Sequence, residues 1–364
     1  MGCYKSYPEY KNPGVDWVGN IPKHWSRGSI KHVLSQPITD GPHETPDFLT
    51  EGIEFLSVDG IQDGEIVFEG NTSTQANISM DRLGCIGITF PPIGEQTLIA
   101  ARIDRETTRI DALIAKKTRF IELLKEKRQA LITHAVTKGL NPNVKMKDSG
   151  VEWIGDVPDH WVTTKLGYLG RCKNGINIGG EAFGSGFPFV SYGDVYKNRV
   201  LPNPSGLVQS SESDRENYSL RRGDILFTRT SETADEIGFS SACLQDVPNA
   251  VFAGFLIRFR PLEKKLYPDF SAYLFQNASL KEFFAKEMNI VTRASLSQDL
   301  LKGMPIMLPP LGEQERIASF LKRKDLSFEK LVRSTEISIE LLKERRSAFI
   351  TAAVTGQVDL REQK

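Results

Sequence analysis

Residues 90–139 read FPPIGEQTLIAARIDRETTRIDALIAKKTRFIELLKEKRQALITHAVTKG, and residues 308–356 repeat them as LPPLGEQERIASFLKRKDLSFEKLVRSTEISIELLKERRSAFITAAVTG. A shift of 218 positions places Pro91 on Pro309, Glu95 on Glu313 and Leu124 on Leu342. Each copy predicts a helix, because apolar residues recur at steps of three, four or seven. The glycines that close the two copies suit helix ends.

The apolar stripe of each copy is narrow and continues for about five heptads, which is typical of a coiled-coil seam. We therefore expect the two helices to pack on each other as a rod of about 60 Å. Two unrelated amphipathic helices are disfavoured, since spacing alone would not reproduce PP-x-GEQ and ELLKE in both copies. The predicted interface consists of Ile103, Ile110, Leu113, Leu124 and Leu131 in the first copy and Leu321, Phe328, Leu331, Leu342 and Phe349 in the second.

The composition is that of a globular protein, with 364 residues, 40% of them hydrophobic and 25% charged. No run of 18 apolar residues and no signal-peptide pattern is present, so we expect a cytoplasmic protein without a membrane partner. The four cysteines are scattered without a C-x-x-C pair and predict free thiols. The net charge is zero, but residues 97–139 and 315–355 of the two repeated helices together carry +8 and the remainder −8. A solvated coiled-coil face explains this excess as well as a DNA-facing one.

A second repeat precedes each body of the chain. PGVDWVGNIPKHW begins at Pro13 and SGVEWIGDVPDHW begins at Ser149, and these two stretches hold all four tryptophans. We call them the Trp segments and expect their indole rings to anchor them on the body that follows. The predicted organisation is a flexible leader over 1–12, a first body over 13–90, a first helix over 91–140, a second body over 141–308, and a second helix with its tail over 309–364.

The two bodies differ in length. Trp25 lies 66 residues before Pro91, whereas Trp161 lies 148 residues before Pro309. The missing part corresponds to most of 195–291, so the first body is predicted to be shortened. The complete second body reads as α+β, with short β-rich runs such as GDILFTRT between Gly, Pro and Asn turns and helical spacing over Tyr267–Met288.

No catalytic or metal-binding motif is apparent. The chain has no G-x-x-x-x-G-K-[ST] phosphate loop, no N-P-P-[YF] and no convincing glycine fingerprint on a βα unit. Its five histidines show no metal-ligand spacing, and His24 and His160 are equivalent repeat positions, which favours a structural role. We predict a non-catalytic chain without a metal or cofactor of its own.

The repeats resemble the specificity subunit of Type I restriction-modification systems over nearly the whole chain. The similarity is carried by both Trp segments, by Gly223-Asp224-Ile225-Leu226, by SLSQDLLKGMPIMLPPLGEQ and by ELLKERRSAFITAAVTG. It implies an α+β protein in which two target-recognition domains, each a mixed β-sheet with helices, are separated by a long antiparallel two-helix coiled coil. Each domain would read half of a bipartite target in double-stranded DNA.

The resemblance also implies the partners. The coiled coil would dock two modification (methyltransferase) subunits, which bind S-adenosylmethionine. Restriction (translocase-nuclease) subunits would use ATP and Mg, so the chain itself would carry no cofactor.

Bases are read by donors and acceptors on exposed loops. Three loops of the second body offer such side chains, and the predicted DNA-binding residues are Tyr192, Tyr196, Lys197 and Asn198 in the first, Thr228, Arg229, Thr230 and Ser231 in the second, and Arg293, Ser295 and Ser297 in the third. In the first body, residues 59–63 and 72–79 are counterparts of two of these loops but contain no Arg or Lys. We therefore predict a degenerate first recognition domain.

Two other functions compete with sequence reading. A structural or decoy protein would bind methyltransferase subunits without selecting DNA. A restriction nuclease would need clustered carboxylates and a metal, and no acidic pair here stands beside a lysine on a recognisable strand core.

Overall fold

The computed structural model describes residues 5–15, 18–36, 61–62, 65–66, 80–231, 238–262, 265–287 and 294–361. The chain divides into two compact units. Unit 1 comprises Met1–Lys116 and Ser338–Lys364, and unit 2 comprises Lys117–Ile337.

The amino-terminal elements are short except for the last of them. In chain order they are β1 (Tyr10–Lys11), β2 (Ile21–Pro22), β3 (Ser26–Ser29), α1 (Ile30–Val33), β4 (Ile61–Gln62), β5 (Glu65–Ile66), α2 (Met80–Cys85), β6 (Gly87–Phe90) and α3 (Ile93–Lys138).

The elements that follow α3 build the second body and end in a second long helix. They begin with β7 (Met146–Asp148), β8 (Asp156–Pro158), β9 (Val162–Lys165), β10 (Gly170–Asn174), β11 (Phe183–Val190), α4 (Tyr192–Lys197), β12 (Gly206–Val208), α5 (Glu212–Asn217), β13 (Ile225–Thr228) and β14 (Thr230–Ser231). They continue with β15 (Ser240–Ala242), β16 (Val251–Phe252), β17 (Leu256–Pro261), α6 (Pro268–Leu274), α7 (Ala278–Glu287), β18 (Ala294–Ser295), α8 (Gln298–Gly303), β19 (Pro305–Leu308) and α9 (Leu311–Val354).

The prediction of two long repeated helices is confirmed: α3 has 46 residues and α9 has 44. Each begins directly after a Pro-Pro pair, where the chain cannot continue a helix backwards. Each is followed closely by a glycine with positive φ, 77° at Gly139 and 72° at Gly356. A Cβ at Gly356 would lie 2.3 Å from Cδ of Pro22, so this turn requires glycine for space as well as for conformation.

The two helices run antiparallel within each unit. In unit 2, Nε of Arg128 lies 2.9 Å from Oδ1 of Asp325, and in unit 1, Nε of Arg346 lies 3.0 Å from Oδ1 of Asp111. Eight of the ten predicted interface residues are buried or half-buried. Leu113 and Leu331 are instead 41% and 46% exposed. At these two turns the seam passes one residue later, through the half-buried Ile114 and Val332. The adjacent residues 113 and 114, like 331 and 332, are both apolar, so only packing decides which of them is buried.

The core of unit 1 joins the first Trp segment to both helices. Trp25 and Ile21 are buried with Ile99 of α3 and with Phe349 and Ala353 of α9. The prediction of a flexible leader over 1–12 is corrected for residues 5–12, since β1 pairs antiparallel with β2 and Tyr7 is only 4% exposed. The leader lacks hydrophobic periodicity because it contributes one strand and one aromatic side chain rather than a helix. Trp17 lies outside the described residues.

Unit 2 is built on a four-stranded antiparallel sheet in the order β10-β17-β13-β15. Successive residues of β13 point to opposite faces, as the two-residue period of a strand requires. Ile225 and Phe227 pack into a core with α6, α7, α8 and the adjoining parts of α3 and α9. Leu226 packs into a second core with Val195 of α4 and the three-stranded sheet β12-β11-β16. The mixed α+β class predicted for this body is confirmed.

The helical pattern predicted over Tyr267–Met288 is divided into α6 and α7. The chain turns between Leu274 and Ala278, where Oδ1 of Asn277 accepts a hydrogen bond of 3.0 Å from the backbone N–H of Ser279. Asparagine favours such a turn, because its side chain competes for the backbone donors that a helix needs. Among the helices of the described ranges, none combines the length and the hydropathy that crossing a membrane would need.

Candidate nucleic-acid interface

One end of the four-stranded sheet brings several loops together. β10 and β13 both pair antiparallel with β17, so both end where β17 begins. Asn174, the last residue of β10, pairs with Ile257, and Thr228, the last residue of β13, pairs with Leu256. The residues that follow β10 and β13 and the residue that precedes β17 therefore meet at this end of the sheet.

Hydrogen bonds fasten these loops to one another. The backbone N–H of Arg229 donates to the carbonyl of Phe255 at 2.9 Å, and the N–H of Leu296 donates to the carbonyl of Arg229 at 2.7 Å. Nε2 of Gln298 lies 3.0 Å from Oδ1 of Asn174. Four loops that are far apart in sequence thus form one surface, which we call the edge patch: Asn174, Arg229, Phe255, Ser295 and Gln298.

The edge patch combines polar side chains with one exposed aromatic ring. Phe255 is 61% exposed, Ser295 is exposed, and Asn174, Arg229 and Gln298 are half-buried. The bond between the Asn174 and Gln298 amides leaves a donor on one and an acceptor on the other for a third group. A guanidinium suits guanine, amides suit adenine, and an apolar ring suits the methyl group of thymine. The patch therefore has the chemistry needed to read base edges.

Two glycines allow the loops to approach so closely. A Cβ at Gly254 would lie 2.0 Å from Oδ1 of Asn177, and a Cβ at Gly175 would lie 2.0 Å from the carbonyl oxygen of Ala253. Any larger residue would push the turn before β17 away from the turn after β10. The position of Phe255 therefore depends on both glycines.

The first predicted loop forms the helix α4 beside this edge. Tyr192 and Tyr196 stack on this helix with ring centroids 5.9 Å apart, and Tyr196 also packs against Phe239 at 4.9 Å. Lys197 is exposed, and Nδ2 of Asn198 donates to the carbonyl of Asp194 at 2.9 Å. Helix α4 lies at the same end of the sheet, because Tyr196 packs against Phe239, the residue before β15. The carbonyl of Phe239 accepts a hydrogen bond from the backbone N–H of Thr228, the last residue of β13.

The second and third predicted loops are paired with each other. Thr230 pairs with Ser295 in the two-stranded ladder of β14 and β18. Arg229 and Ser295 belong to the edge patch, whereas Arg293 lies outside the described residues. Ser231 also takes part in this ladder, opposite Ala294.

Two predicted residues have structural positions instead. Thr228 is fully buried, so its side chain cannot reach a base without unfolding of β13. The hydroxyl of Ser297 accepts the N–H of Leu300 at 3.0 Å as the amino-terminal cap of α8. The sequence marks both as hydroxyl residues in polar surroundings, and only the strand pairing and the cap geometry separate them from their neighbours.

Sequence reasoning missed Asn174, Phe255 and Gln298. Asn174 and Phe255 each stand next to a glycine, in Asn174-Gly175 and Gly254-Phe255, and such dipeptides mark tight turns between strands. That signal identifies turns, but it does not reveal that these turns meet.

The described cysteines Cys172 and Cys243 are not activated as nucleophiles, and the described residues form no cluster of metal ligands. Burial raises the pKa of the Cys172 thiol to about 11 and that of Cys243 to about 12, so both thiols are protonated near neutral pH. Among the described residues, no group of three or more His, Cys, Asp or Glu side chains is placed to hold a metal ion.

The sequence profile of the family described as "Type I restriction modification DNA specificity domain" matches residues 158–340, just over half of the 364 residues. The chain belongs to this family. The match covers the edge patch and most of α9, so the surface described above lies within the part that the specificity-domain family shares.

Two curated members of this family show the extent of the likeness. The chain is 28% identical over 249 residues to the Type I restriction enzyme EcoKI specificity subunit of Escherichia coli (strain K12), a match that covers 66% of this chain and 51% of that one. It is 25% identical over 245 residues to the StySPI specificity subunit of Salmonella potsdam, with coverage of 66% and 51%. The chain thus spans about half the length of the curated relatives it matches.

The fold is also similar to that of a chain in a solved structure concerned with complex assembly and conformational transition of the type I R-M system. The TM-score is 0.57 at 18% identity, over 76% of this chain and 63% of that one. At this identity the comparison supports the fold alone.

Proposed function

We propose that the chain is the DNA-reading subunit of a Type I restriction-modification complex, and that unit 2 reads one half of a bipartite target in double-stranded DNA. One observation carries the proposal: the loops around β10, β13, β17 and α8 converge into the edge patch inside the region matched by the DNA specificity family. Convergence of base-reading side chains from distant loops is the arrangement that a sequence-reading surface needs.

Each member of the patch has a role in this proposal. Arg229 reaches a guanine edge, the Asn174–Gln298 pair contacts an adenine, and Phe255 packs against a thymine methyl group. Ser295, together with Asn198, which follows α4, contacts the sugar-phosphate backbone and sets the register on the duplex.

The long helices serve the partner subunits in this proposal. Both carry exposed apolar side chains outside their seam, which are Phe120 and Leu123 on α3 and Leu326, Ile337 and Leu341 on α9. Phe120 and Leu123 are three residues apart and therefore lie side by side on α3, and contiguous exposed apolar surface favours docking of another protein. Two modification subunits dock there and supply S-adenosylmethionine and methyl transfer. The restriction subunits supply the ATP- and Mg-dependent steps, so the chain itself has no catalytic group.

The first body reads less DNA than the second. It lacks most of the segment equivalent to 195–291, which in unit 2 supplies Arg229 and Phe255. Its counterparts of two predicted loops, residues 59–63 and 72–79, lie almost wholly outside the described residues. The expected target has one strongly specified half and one half that is weakly specified or absent.

Selection from a random DNA library tests this function. The full-length chain, assembled with modification subunits from the same organism, is incubated with random duplexes of about 40 base pairs, and the bound DNA is sequenced. We expect one enriched motif. Phe255→Ala should relax preference at one A·T pair by about tenfold, since one mismatched base pair costs about 1–3 kcal/mol. The matched control is Leu262→Ala, because Leu262 is similarly exposed but follows the opposite end of β17.

The outcomes separate the candidate functions. Enrichment of a motif that Phe255→Ala alters and Leu262→Ala does not supports sequence reading by the edge patch. Two equally specific halves would contradict the assignment of a degenerate first body. Assembly with the modification subunits without any enriched motif would identify the decoy protein instead.

A further inference from the structure

Unit 2 contains an open groove of about 550 Å³ beside the edge patch. One wall is the end of α4 and the residues after it, and the other is formed by α3 and α9. Tyr196 and Phe239 line it. The carbonyl of Phe239 accepts a hydrogen bond from the backbone N–H of Thr228, and the next residue, Arg229, belongs to the edge patch. The groove therefore continues the surface proposed to read DNA.

The groove carries an excess of positive charge. Four basic side chains line it, which are Lys125, Arg128, Lys197 and Arg199. Oδ1 of Asp325 lies 2.9 Å from Nε of Arg128, and its Oδ2 lies 2.8 Å from Nη2 of Arg199. One carboxylate thus faces two guanidinium groups. Glu329 is the acidic residue among the groove's lining residues, so the two carboxylates leave a net charge of +2.

The two lysines are the groups available to a ligand. Lys125 and Lys197 are both exposed, and neither forms an ion pair or hydrogen bond with any residue in the described part of the chain. The two arginines are fixed by Asp325, and the hydroxyl of Tyr273 donates to the same carboxylate at 3.0 Å. Fixed guanidiniums at the base of the groove and free ammonium groups at its rim suit an extended anion better than a small one.

We infer that this groove binds the phosphodiester backbone of the DNA that flanks the half-site read by the edge patch, with Lys125 and Lys197 as its two phosphate contacts. The inference rests on the proposed function and adds the α3 helix to the DNA-contacting surface. A phosphate backbone fits because the groove adjoins the edge patch, and a duplex bound at the patch supplies a continuous row of negative charges. Such contacts add affinity and register but no sequence preference.

Salt-dependent DNA binding of the full-length chain tests the groove. Binding of a duplex of about 40 base pairs is measured by fluorescence anisotropy at several salt concentrations, using the selected motif and a scrambled sequence of the same composition. Each phosphate contact contributes about 0.9 to the slope of log K against log salt. Lys125→Gln combined with Lys197→Gln should therefore lower the slope by about 1.8, and affinity about 60-fold at about 0.1 M salt, on both duplexes. The selected motif should stay the same.

The control removes the same charge elsewhere. Lys127→Gln combined with Lys330→Gln changes two exposed lysines on α3 and α9 that do not line the groove, and it should leave the slope near that of the unaltered chain.

An unchanged slope in the groove variant, with the motif still selected, would overturn this inference and leave the proposed function standing. Loss of assembly with the modification subunits, with DNA binding retained, would make the groove a protein-docking site and would also overturn it. Absence of DNA binding by the unaltered chain, alone and assembled, would overturn both proposals.

Discussion

At the scale of single residues, Glu95 and Glu313 show how one repeated position acquires two environments. His24 Nε2 lies 2.7 Å from Glu95, and His160 Nε2 lies 2.7 Å from Glu313. Glu95 accepts two further hydrogen bonds, from the Tyr7 hydroxyl at 2.6 Å and from Trp25 Nε1 at 3.2 Å. In unit 2, Trp161 Nε1 is buried and has no hydrogen-bond partner among the described residues. The glutamate and tryptophan of unit 1 therefore have more of their hydrogen-bonding groups satisfied than the equivalent pair in unit 2.

The hydrogen bonds to Glu95 predict a pH-dependent contribution to stability. Burial by itself would raise the pKa of Glu95, but hydrogen bonds from Tyr7, His24 and Trp25 hold it below the ordinary value of 4.5. A lowered pKa in the folded state stabilises the protein above the unfolded pKa, and that stabilisation is lost as pH falls through the folded pKa. Glu95→Gln should lower the free energy of unfolding by about 1–3 kcal/mol at pH 7 and by less near pH 3. Urea unfolding at a series of pH values measures this.

The matched variant is Glu313→Gln, which removes the equivalent carboxylate where no Trp161 N–H bond exists. It should cost less at pH 7 than Glu95→Gln. Parallel pH profiles for Glu95→Gln and the unaltered chain would refute the assigned role.

At the scale of the elements, α3 and α9 combine an apolar seam with polar pairs. The pairs Arg128–Asp325 and Asp111–Arg346 join the helices in units 2 and 1 respectively, and Thr107 and Thr335 are also buried. In unit 2 a shift along the helix would leave the buried Asp325 carboxylate unpaired, so this pair fixes register, whereas the exposed Asp111–Arg346 pair of unit 1 contributes little. The antiparallel register is thus specified in unit 2 by charge as well as by apolar shape.

Phe328 and Leu331 lie within one turn of α9, but substitutions at the two positions are expected to differ greatly in their cost to stability. Phe328 is 8% exposed and Leu331 is 46% exposed. Phe328→Ala should destabilise unit 2 by about 3–5 kcal/mol through the cavity it leaves, whereas Leu331→Ala should cost less than about 1 kcal/mol. Urea unfolding followed by circular dichroism measures both. Equal destabilisation by both variants would show that the seam is misplaced.

At the scale of the whole chain, residues 5–12 meet residues 357–361 within unit 1. The backbone N–H of Asp359 donates to the carbonyl of Lys5 at 2.8 Å, and Leu360 is buried in the same core as Tyr7 and Trp25. The guanidinium of Arg361 lies 4.8 Å from the centre of the Tyr7 ring. In unit 2 the equivalent path is continuous, since Gly139 leads through β7 into the second Trp segment. In unit 1, noncovalent contacts between residues 357–361 and 5–12 therefore connect the end of α9 to the first Trp segment, whereas in unit 2 the chain itself connects the end of α3 to the second Trp segment.

Removal of residues 357–364 should therefore destabilise unit 1 selectively. Loss of the buried Leu360 side chain alone is worth about 2–5 kcal/mol. Hydrogen–deuterium exchange should increase over residues 5–25 and stay unchanged over β13 in unit 2. A chain that ends after Arg361 is the control and should exchange like the full chain. Equal protection of residues 5–25 in both truncations would show that the tail is dispensable.

The family, the two long helices and the shortened first body follow from the sequence, because each depends on local periodicity or on a repeat whose copies can be aligned by eye. PP-x-GEQ and the closing glycines set the helix bounds through backbone rules that act over a few residues. The α+β class of the second body follows from the same short-range patterns. Even Leu113 and Leu331, whose neighbours Ile114 and Val332 belong to the same apolar stripe, are errors of a single position within a correct helix.

Only the tertiary structure decided which polar residues share a surface. Thr228 and Arg229 are adjacent in sequence, yet Thr228 is buried and Arg229 belongs to the edge patch. The reason is that successive side chains of a strand point to opposite faces and that β13 ends at Thr228. Asn174, Phe255 and Gln298 meet through strand pairings and hydrogen bonds between residues 80 or more positions apart along the chain. Local patterns carry no information about such pairings, since register depends on how the buried faces of distant strands pack together.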